Sequence, residues 1–227
     1  MENFEASVNI ENIGFPPALF VTGIGTDVGK SYATGWLGRE MMRCGLSVIT
    51  QKMIQTGNEE WSEDIERHRK IMGCGMQPVD RIHLTAPVIF TYPASPHLAA
   101  RLDESFIDFE IISSASKALL SQYDHLLIEG AGGLMVPLKD DYLTIDYISD
   151  QNLPVVLVVT GQLGSINHAL LSLSAIKTYG LNLFAVIYNP YFDRDAIICN
   201  DTRDYLRNYL RRNFPKSVWL EMPTLPS

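Results

Sequence analysis

Short apolar runs recur along the chain, and longer segments with helical spacing separate them. The runs are hydrophobic without a break, which is typical of strands covered on both faces of a parallel sheet. They predict strands at 19–22, 46–49, 125–128, 155–159 and 184–187. The intervening segments predict helices at 30–44, 62–72, 96–102, 108–123, 165–179 and 201–213. This alternation predicts an α/β fold, a doubly wound and mainly parallel sheet with helices on both faces.

Local signals mark several ends of these helices. Gly45 and Gly180 follow predicted helices, at the position where glycine closes a helix in the left-handed conformation. Ser95 and Pro96 are typical of an N-cap and a first helical residue, so they open the short helix. In such sheets ligands bind beyond the carboxyl ends of the strands, and we therefore expect the chemistry in the loops that follow the strands.

Composition excludes several classes of protein. The 227 residues are 46% hydrophobic and 19% charged, which excludes an intrinsically disordered chain. Eighteen basic residues against 26 acidic residues give a net charge of −8, which disfavours nucleic acid as a partner. Neither a repeat nor a linker-like stretch interrupts the chain. The sequence therefore predicts one domain over 1–227, with 1–17 as an N-terminal extension.

The sequence also bears on the compartment. No apolar run approaches the ~18 residues that a membrane-spanning helix needs, so we expect no membrane partner. The acidic start lacks the basic and apolar regions of a signal peptide. Cys44, Cys74 and Cys199 lie far apart without metal-ligand spacing, and we expect reduced thiols. These features predict a cytoplasmic protein.

A glycine-rich loop links the first predicted strand to the first predicted helix, with the sequence Gly-Ile-Gly-Thr-Asp-Val-Gly-Lys-Ser at 23–31. Its glycines let backbone N–H groups converge on phosphate oxygens at a helix N-terminus. Lys30 supplies a charge toward the β- and γ-phosphates, and the Ser31 hydroxyl can ligate Mg²⁺. Five residues, rather than the usual four, separate Gly23 from Gly29. The loop predicts a nucleoside triphosphate site.

Four further motifs follow predicted strands or open predicted helices. They are Gln-Lys-Met-Ile-Gln-Thr-Gly at 51–57, Ser-Pro-His at 95–97, Glu-Gly-Ala-Gly-Gly at 129–133 and Gly-Ser-Ile-Asn-His at 164–168. In this order, and together with the phosphate loop and its five-residue gap, they resemble the dethiobiotin synthetase family over roughly residues 18–225. The resemblance implies a P-loop NTPase-like fold, a homodimer and an enzyme of biotin biosynthesis that uses ATP and Mg²⁺.

The reaction that this resemblance implies joins CO₂ to 7,8-diaminopelargonate, with ATP as co-substrate. One amine takes up CO₂ as a carbamate, and a carbamate oxygen attacks the γ-phosphate to give a carbamic–phosphoric anhydride. The second amine then closes the cyclic urea of dethiobiotin and releases phosphate. A phosphoryl transfer of this type depends on positioning and on neutralisation of charge.

The resemblance assigns catalytic roles to Lys30 and Lys52, two cations that bring the carbamate and the γ-phosphate together. Mg²⁺ prefers oxygen ligands, and the predicted ligands are Ser31, Asp64 and Glu129. Glu129 ends a buried predicted strand. Asp64 belongs to a segment with four acids, so a neighbouring acid stays open as the ligand.

The resemblance also implies contacts with the nucleotide and the diamine, and Asn189 is the residue that would read the adenine. The nucleotide contacts are Thr26, Asp27, Val28, Gly29, Lys30, Ser31, Tyr32, Asp64, Glu129, Gly130, Ala131, Gly132, Asn189, Pro223 and Leu225. The diamine contacts are Thr56, Asp27, Gly164, Ser165, Ile166 and Asn167. In the last four, backbone N–H groups at a helix start would receive the substrate carboxylate across a dimer interface.

One residue departs from the family pattern, and one residue type is assigned no chemistry. Met53 stands where the family has a proline after the catalytic lysine, and the loss of a fixed φ predicts a looser segment around Lys52. Four histidines lack metal-like spacing and are expected in packing or surface roles, namely His68, His83, His97 and His125.

Two other functions share parts of this pattern. A cobyrinate-type amidoligase often carries a further glutaminase domain with a nucleophilic cysteine, for which the chain has no room. A ParA/MinD-like switch ATPase has an extra lysine early in its phosphate loop, and 23–28 contain none. Whether ATP hydrolysis requires the diamine or a macromolecule distinguishes these functions.

Overall fold

The computed structural model describes Ile10 and residues 13–225, and these form strands and helices in alternation. The strands are β1 (Ala18–Gly23), β2 (Val48–Lys52), β3 (Gln55–Thr56), β4 (Ile89–Phe90), β5 (His125–Gly133), β6 (Pro137–Lys139), β7 (Tyr142–Leu143), β8 (Val155–Thr160), β9 (Leu183–Asn189) and β10 (Val218–Glu221). The helices are α1 (Lys30–Arg43), α2 (Glu63–Met72), α3 (Pro78–Arg81), α4 (Pro96–Leu102), α5 (Phe109–Leu120), α6 (Thr144–Asp150), α7 (Ser165–Thr178) and α8 (Ala196–Asn213).

Six strands form one parallel sheet, in the order β10-β9-β8-β1-β5-β2. The sheet is therefore wound in both directions from β1, and the crevice at its carboxyl edge opens beside this strand. The predicted doubly wound α/β fold is confirmed. The register sets Glu129 of β5 beside Val21 of β1 on one side and Lys52 of β2 on the other, so the fold itself brings the candidate acid and lysine together.

Both faces of the sheet are buried, as continuous apolar strands require. In β1, Phe20 joins an apolar cluster on one face, whereas Leu19 and Val21 join a second cluster on the other face. Trp36 and Leu37 of α1 close the second cluster. The carboxyl ends of the central strands are held from both sides, which gives the site a rigid base.

The structure extends some predicted elements. β5 continues through the glycine-rich segment to Gly133, because β1 still pairs with it there. α8 begins at Ala196 instead of 201, because the Asp195 carboxylate accepts the amide protons of Ile197 and Ile198 and caps the helix earlier. The structure also contains elements that were not predicted, namely β10, the short strands β3, β4, β6 and β7, and the short helices α3 and α6.

The predicted N-terminal extension is described only in part, because residues 1–9, 11 and 12 lie outside the described residues. Ile10, Ile13 and Phe15 pack against the apolar cluster that contains α1. The carbonyl oxygen of Pro16 lies 3.0 Å from Nδ1 of His125, so this histidine has the packing role expected for it. No helix in the described ranges combines the length and apolar character needed to cross a bilayer.

Candidate active site

The glycine-rich loop lies between β1 and α1, as its sequence predicts. Gly29 caps α1 with a φ of 87°, a conformation that glycine adopts without strain. Lys30 begins α1, and its Nζ donates to the carbonyl oxygen of Gly25 at 2.9 Å, so the side chain curves back over the loop. Burial lowers the pKa of the Lys30 ammonium, and the attraction of Glu129 only partly opposes this.

The end of β9 is joined to this loop through Asn189, which is 2% exposed. Its Nδ2 donates to the carbonyl oxygen of Val28 at 3.0 Å, and its Oδ1 accepts from the amide of Tyr191 at 3.0 Å. A Cβ atom on Gly29 would lie 2.2 Å from this Nδ2, so the loop backbone passes too close for any side chain. The Asn189 amide keeps one N–H and one lone pair, with which it can contact a further group.

Lys52, the last residue of β2, lies between two carboxylates. Its Nζ is 2.7 Å from Oδ2 of Asp64 and 2.8 Å from Oε1 of Glu129, and its side chain is almost wholly buried. Burial lowers the pKa of Lys52, but the two carboxylates outweigh burial and hold it well above its usual range. Burial likewise raises the pKa of Glu129, but Lys52 and His68 outweigh it and hold that pKa well below its usual range. Lys52 and Glu129 are therefore both ionised near neutral pH.

The Ser31 hydroxyl faces both carboxylates at once. Its Oγ lies 2.7 Å from Oδ1 of Asp64 and 2.9 Å from Oε1 of Glu129, but the hydroxyl carries a single proton. One of these two oxygen pairs is therefore held together without a hydrogen bond. Three converging oxygens with one proton among them are the donor set that suits a hard divalent cation.

Asp64 is the acid that contacts Ser31. The geometry therefore favours Asp64 over the other three acids of its segment as the candidate ligand. Ser62 caps α2 by accepting the amide proton of Ile65, and this turns Asp64 inward while Glu63 stays exposed. No group of three or more His, Cys, Asp or Glu side chains suited to a metal exists in the part of the chain that the structure describes. Two carboxylates and a hydroxyl nevertheless fit Mg²⁺, which takes few protein ligands and completes its shell with water and phosphate oxygens.

Two residues of α2 belong to the site although the sequence did not single them out for it. Arg67 donates to Oδ1 of Asp64 at 3.0 Å and lies over the ring of Tyr32. His68, expected in a packing or surface role, is fully buried with its Nε2 2.7 Å from Oε2 of Glu129. The spacing was a usable signal, because residues three and four positions after Asp64 lie on the same face of a helix.

The two lysines, Ser31, the two carboxylates and Arg67 line a cavity of about 400 Å³ at the carboxyl edge of the sheet. His68 lies behind Glu129 and does not line it. The predicted site residues that line it are Thr26, Asp27, Gly29, Lys30, Ser31, Tyr32, Lys52, Thr56, Asp64, Glu129, Ala131, Gly132, Asn189 and Leu225. The residues that the sequence analysis did not place there are Ile54, Gln55, Arg67, Tyr191, Phe192 and Met222. The cavity joins both predicted lysines, the three predicted metal ligands and the aromatic side chains of Tyr191, which is exposed, and Phe192, which is half-buried.

Seven predicted residues do not line this cavity. Val28, Gly130 and Pro223 lie beside it, and Gly130 is packed so tightly that a Cβ would lie 2.7 Å from the ring of Phe20. Gly164, Ser165, Ile166 and Asn167 lie at the start of α7, and both Gly164 and Asn167 are exposed. The Ser165 hydroxyl and amide are already bonded to Thr160 and Gln162, so only the later amides of that turn are left to bind an anion.

The expected looseness around Lys52 is wrong. Met53 is 1% exposed, and its amide donates to the carbonyl oxygen of Glu129 at 3.0 Å. The amide of Lys52 donates to the carbonyl oxygen of Thr85 at 2.7 Å. A proline at 53 would lack the first of these bonds, so methionine leaves the segment anchored on both sides.

Comparisons with known proteins agree with this geometry. The family model that matches residues 17–226 is described as an AAA domain. A curated relative from Pasteurella multocida, named ATP-dependent dethiobiotin synthetase BioD 2, is 46% identical over 88% of this chain and 94% of its own. Proteins of the same enzyme name from Haemophilus ducreyi and Chlorobaculum tepidum are 46% and 45% identical, over 90% and 86% of this chain and 97% and 81% of their own.

A solved structure shares the fold at much lower sequence identity. It is a candidate plasmid partition protein from Borrelia burgdorferi bound to AMPPNP, 13% identical, with a TM-score of 0.55. The match covers 94% of this chain and 89% of that one. At this identity the likeness concerns the fold alone, a parallel sheet of the P-loop NTPase type.

Proposed function

We propose a reaction for this chain from the premise that it belongs to the family of ATP-dependent dethiobiotin synthetases, a family of ligases in biotin biosynthesis. In this proposal the chain uses ATP to join CO₂ to 7,8-diaminopelargonate and to close the cyclic urea of dethiobiotin. The observation that carries it is the convergence of Lys30, Ser31, Lys52, Asp64 and Glu129 on one cavity that begins at the phosphate loop.

The phosphate loop and the end of β9 would hold ATP. The amides at the start of α1 and the Lys30 ammonium would bind the β- and γ-phosphates, and the helix dipole would add a favourable charge there. Asn189 would read the adenine with its remaining N–H and lone pair. Pro223 and Leu225 follow β10 next to it, and Leu225 lines the cavity.

Ser31, Asp64 and Glu129 would hold Mg²⁺, which neutralises charge on the transferring phosphoryl group when it is bound. The donor set supports this assignment. The Ser31 hydroxyl has one proton for two nearby carboxylate oxygens, so a cation is needed to satisfy all three oxygens at once. Mg²⁺ is thus a proposed cofactor.

Lys52 would act as a fixed cation and not as a base, since its raised pKa keeps the ammonium charged. The amine of the substrate attacks CO₂ and loses a proton, which leaves a carbamate anion. A carbamate oxygen attacks the γ-phosphorus, and the bond from phosphorus to the ADP oxygen breaks. The second amine attacks the carbamoyl carbon, phosphate leaves with the C–O bonding pair, and the proton that the nitrogen loses passes to the departing phosphate. Lys52 lowers the repulsion between the two anions before and during the first transfer.

The diamine would lie between Thr56 and Asp27, which both line the cavity, so that an ammonium group meets the Asp27 carboxylate. The carboxylate end would reach the start of α7 at 164–167, where the Ser165 amide is already bonded and the amides of Ile166 and Asn167 would receive it. These do not line the cavity of their own chain, which supports a homodimer in which one subunit completes the site of the other.

The fold, the charge and the cysteines support a domain organisation, a class of partner and a compartment. The six-stranded sheet spans most of the described chain and supports one P-loop domain. The net charge of −8 supports small molecules and not nucleic acid as partners. Cys44, Cys74 and Cys199 are all free thiols, which supports the cytoplasm as the compartment.

The test is conversion of the diamine by the purified chain with ATP, Mg²⁺ and ¹³C-bicarbonate. We expect one ¹³C atom in the cyclic urea, detected by mass spectrometry, and phosphate release that depends on the diamine. Matched reactions replace the diamine with DNA or with lipid vesicles. Folded protein that makes no dethiobiotin, or that hydrolyses ATP only with DNA or vesicles, would contradict the proposal.

A further inference from the structure

His68 is the one histidine that contacts the candidate metal ligands within the described residues. It lies in α2, is fully buried and makes two hydrogen bonds through its ring. Nε2 is 2.7 Å from Oε2 of Glu129, and Nδ1 is 3.0 Å from Oγ1 of Thr50. Neither contact is part of the proposed roles of the phosphate loop or of Lys52.

The partners of His68 hold its ring at both nitrogens. The Glu129 carboxylate is ionised and can only accept, so Nε2 carries a proton and donates it to Oε2. On the other side, Nδ1 lies 3.0 Å from Oγ1 of Thr50, a hydroxyl that can donate to this nitrogen or accept from it. Thr50 is itself held by Nη1 of Arg69, which donates to Oγ1 at 2.8 Å. The proton on Nε2 therefore points at Glu129.

The two oxygens of Glu129 are consequently held in different ways. Oε2 accepts the proton of His68, whereas Oε1 faces Ser31 and Lys52. Without a donor at Oε2, the buried carboxylate would keep one oxygen unsatisfied and could rotate both oxygens toward Lys52. The imidazole thus fixes which oxygen is presented to the cavity.

We propose that His68 is a positioning residue that orients the Glu129 carboxylate for Mg²⁺ through its Nε2–H, and that Thr50 anchors the ring at Nδ1. The inference rests on the proposed role of Glu129 in holding Mg²⁺. A carboxylate oriented by an imidazole that is itself oriented by a third group is a common arrangement around metal ligands. In this chain it extends the site from Glu129 to Thr50 and Arg69, side chains outside the cavity lining.

The test compares variants that keep or remove a donor at the position of Nε2. The amide of glutamine extends to about the position of Nε2, whereas the amide of asparagine extends only to that of Nδ1. His68→Gln therefore retains a donor toward Glu129, and His68→Asn and His68→Leu remove it. Thr50→Ser and Thr50→Val form a second pair, in which only serine keeps the hydroxyl. Glu129→Gln is the reference for loss of the ligand charge.

The primary readout is the dissociation constant of Mn²⁺ in the presence of AMPPNP, measured from the free Mn²⁺ signal in electron paramagnetic resonance. It needs no turnover. We expect His68→Asn, His68→Leu and Thr50→Val to raise this constant by roughly 10- to 100-fold, the usual cost of losing an orienting partner. His68→Gln and Thr50→Ser should stay within about threefold of the parent. The Mg²⁺ concentration for half-maximal turnover should rise in the same variants.

The other possible results separate the positioning role of His68 from the role of Glu129 as a metal ligand. If Glu129→Gln weakens Mn²⁺ binding but His68→Asn and Thr50→Val do not, the positioning role is overturned and the proposed function stands. If Glu129→Gln itself leaves the dissociation constant unchanged, Glu129 is not a metal ligand and both proposals lose that residue. Loss of stability in urea without a change in Mn²⁺ affinity would make His68 structural only. If His68→Leu does not fold, the glutamine and asparagine variants decide the question.

Discussion

The ammonium of Lys52 binds two carboxylates that are largely withdrawn from solvent, and its replacement therefore affects both the reaction and the fold. A cation so placed cannot move away from Asp64 or Glu129 without leaving a buried charge unpaired. The sequence predicted the residue and its charge but placed it in a motif that follows the second predicted strand, which was expected to end at 49. Its position at the end of β2 corrects that expectation.

We expect Lys52→Gln to lower turnover by 10²-fold or more, since one preorganised charge-stabilising group is lost. It should also lower the free energy of unfolding by about 3 kcal/mol, because two carboxylates lose their partner. Steady-state turnover and urea unfolding measure the two effects, and exposed Lys70→Gln is the matched control. Turnover within about threefold of the parent would remove Lys52 from the mechanism.

At the scale of elements, a buried ion pair joins α2 to α3. Nε and Nη2 of Arg69 donate to the two oxygens of Asp80, at 2.9 and 2.8 Å. The Thr85 hydroxyl donates to the same carboxylate at 2.7 Å. Burial raises the pKa of Asp80, but the Arg69 guanidinium and the Thr85 hydroxyl outweigh burial and lower it overall. The carboxylate is thus ionised in the folded chain at a pH where it is already protonated in the unfolded chain.

This pair should make stability depend on pH in a defined direction. A carboxyl group with a lowered folded pKa contributes stability that is complete above its unfolded pKa of about 4 and is lost as the pH falls through the folded value. We expect Asp80→Asn to unfold about 3 kcal/mol more easily at pH 7, and the gap to the parent to shrink below pH ~4. Urea midpoints at pH 7, 5, 4 and 3 measure it. A gap that stays constant, or one equally large for exposed Asp141→Asn, would contradict this explanation.

Elements whose signal is local were predictable, and those that depend on distant partners were not. The phosphate loop, α1 and the central strands follow from glycine positions and continuous apolar runs. β10 is a short edge strand with a half-exposed face, so its four residues give no buried run. The role of His68 depends on Glu129, 61 residues further on, and its spacing from Asp64 indicates a helix face but not the partner of that face.

At the scale of the whole molecule, the start of α7 provides a test of the proposed dimer. None of 164–167 lines the cavity of its own chain. If the substrate carboxylate is bound there, one subunit supplies Lys52 and the other supplies the amides of Ile166 and Asn167. Proline is tolerated in the first turn of a helix, so Ile166→Pro removes an N–H while keeping α7.

We expect Ile166→Pro and Lys52→Gln to be nearly inactive alone at low diamine concentration, and active when they are unfolded and refolded together. A random mixture has half heterodimers, each with one intact site, so activity should recover to roughly a quarter of the parent. Turnover of the mixture and of each variant refolded alone measures this recovery. No recovery in a mixture that sedimentation shows to be dimeric would place the whole site within one subunit.

The contact between Gly29 and Asn189 also has an evolutionary consequence. In the present arrangement a Cβ at 29 would overlap Nδ2 of Asn189, so a change at 29 requires the Asn189 amide to move and to give up its bonds to Val28 and Tyr191. A non-glycine residue at a φ of 87° costs about 1 kcal/mol in addition. A substitution at 29 is therefore better tolerated after Asn189 has changed than before. The two positions are epistatic in this sense, and we expect a lineage to inherit Gly29 and Asn189 as one unit.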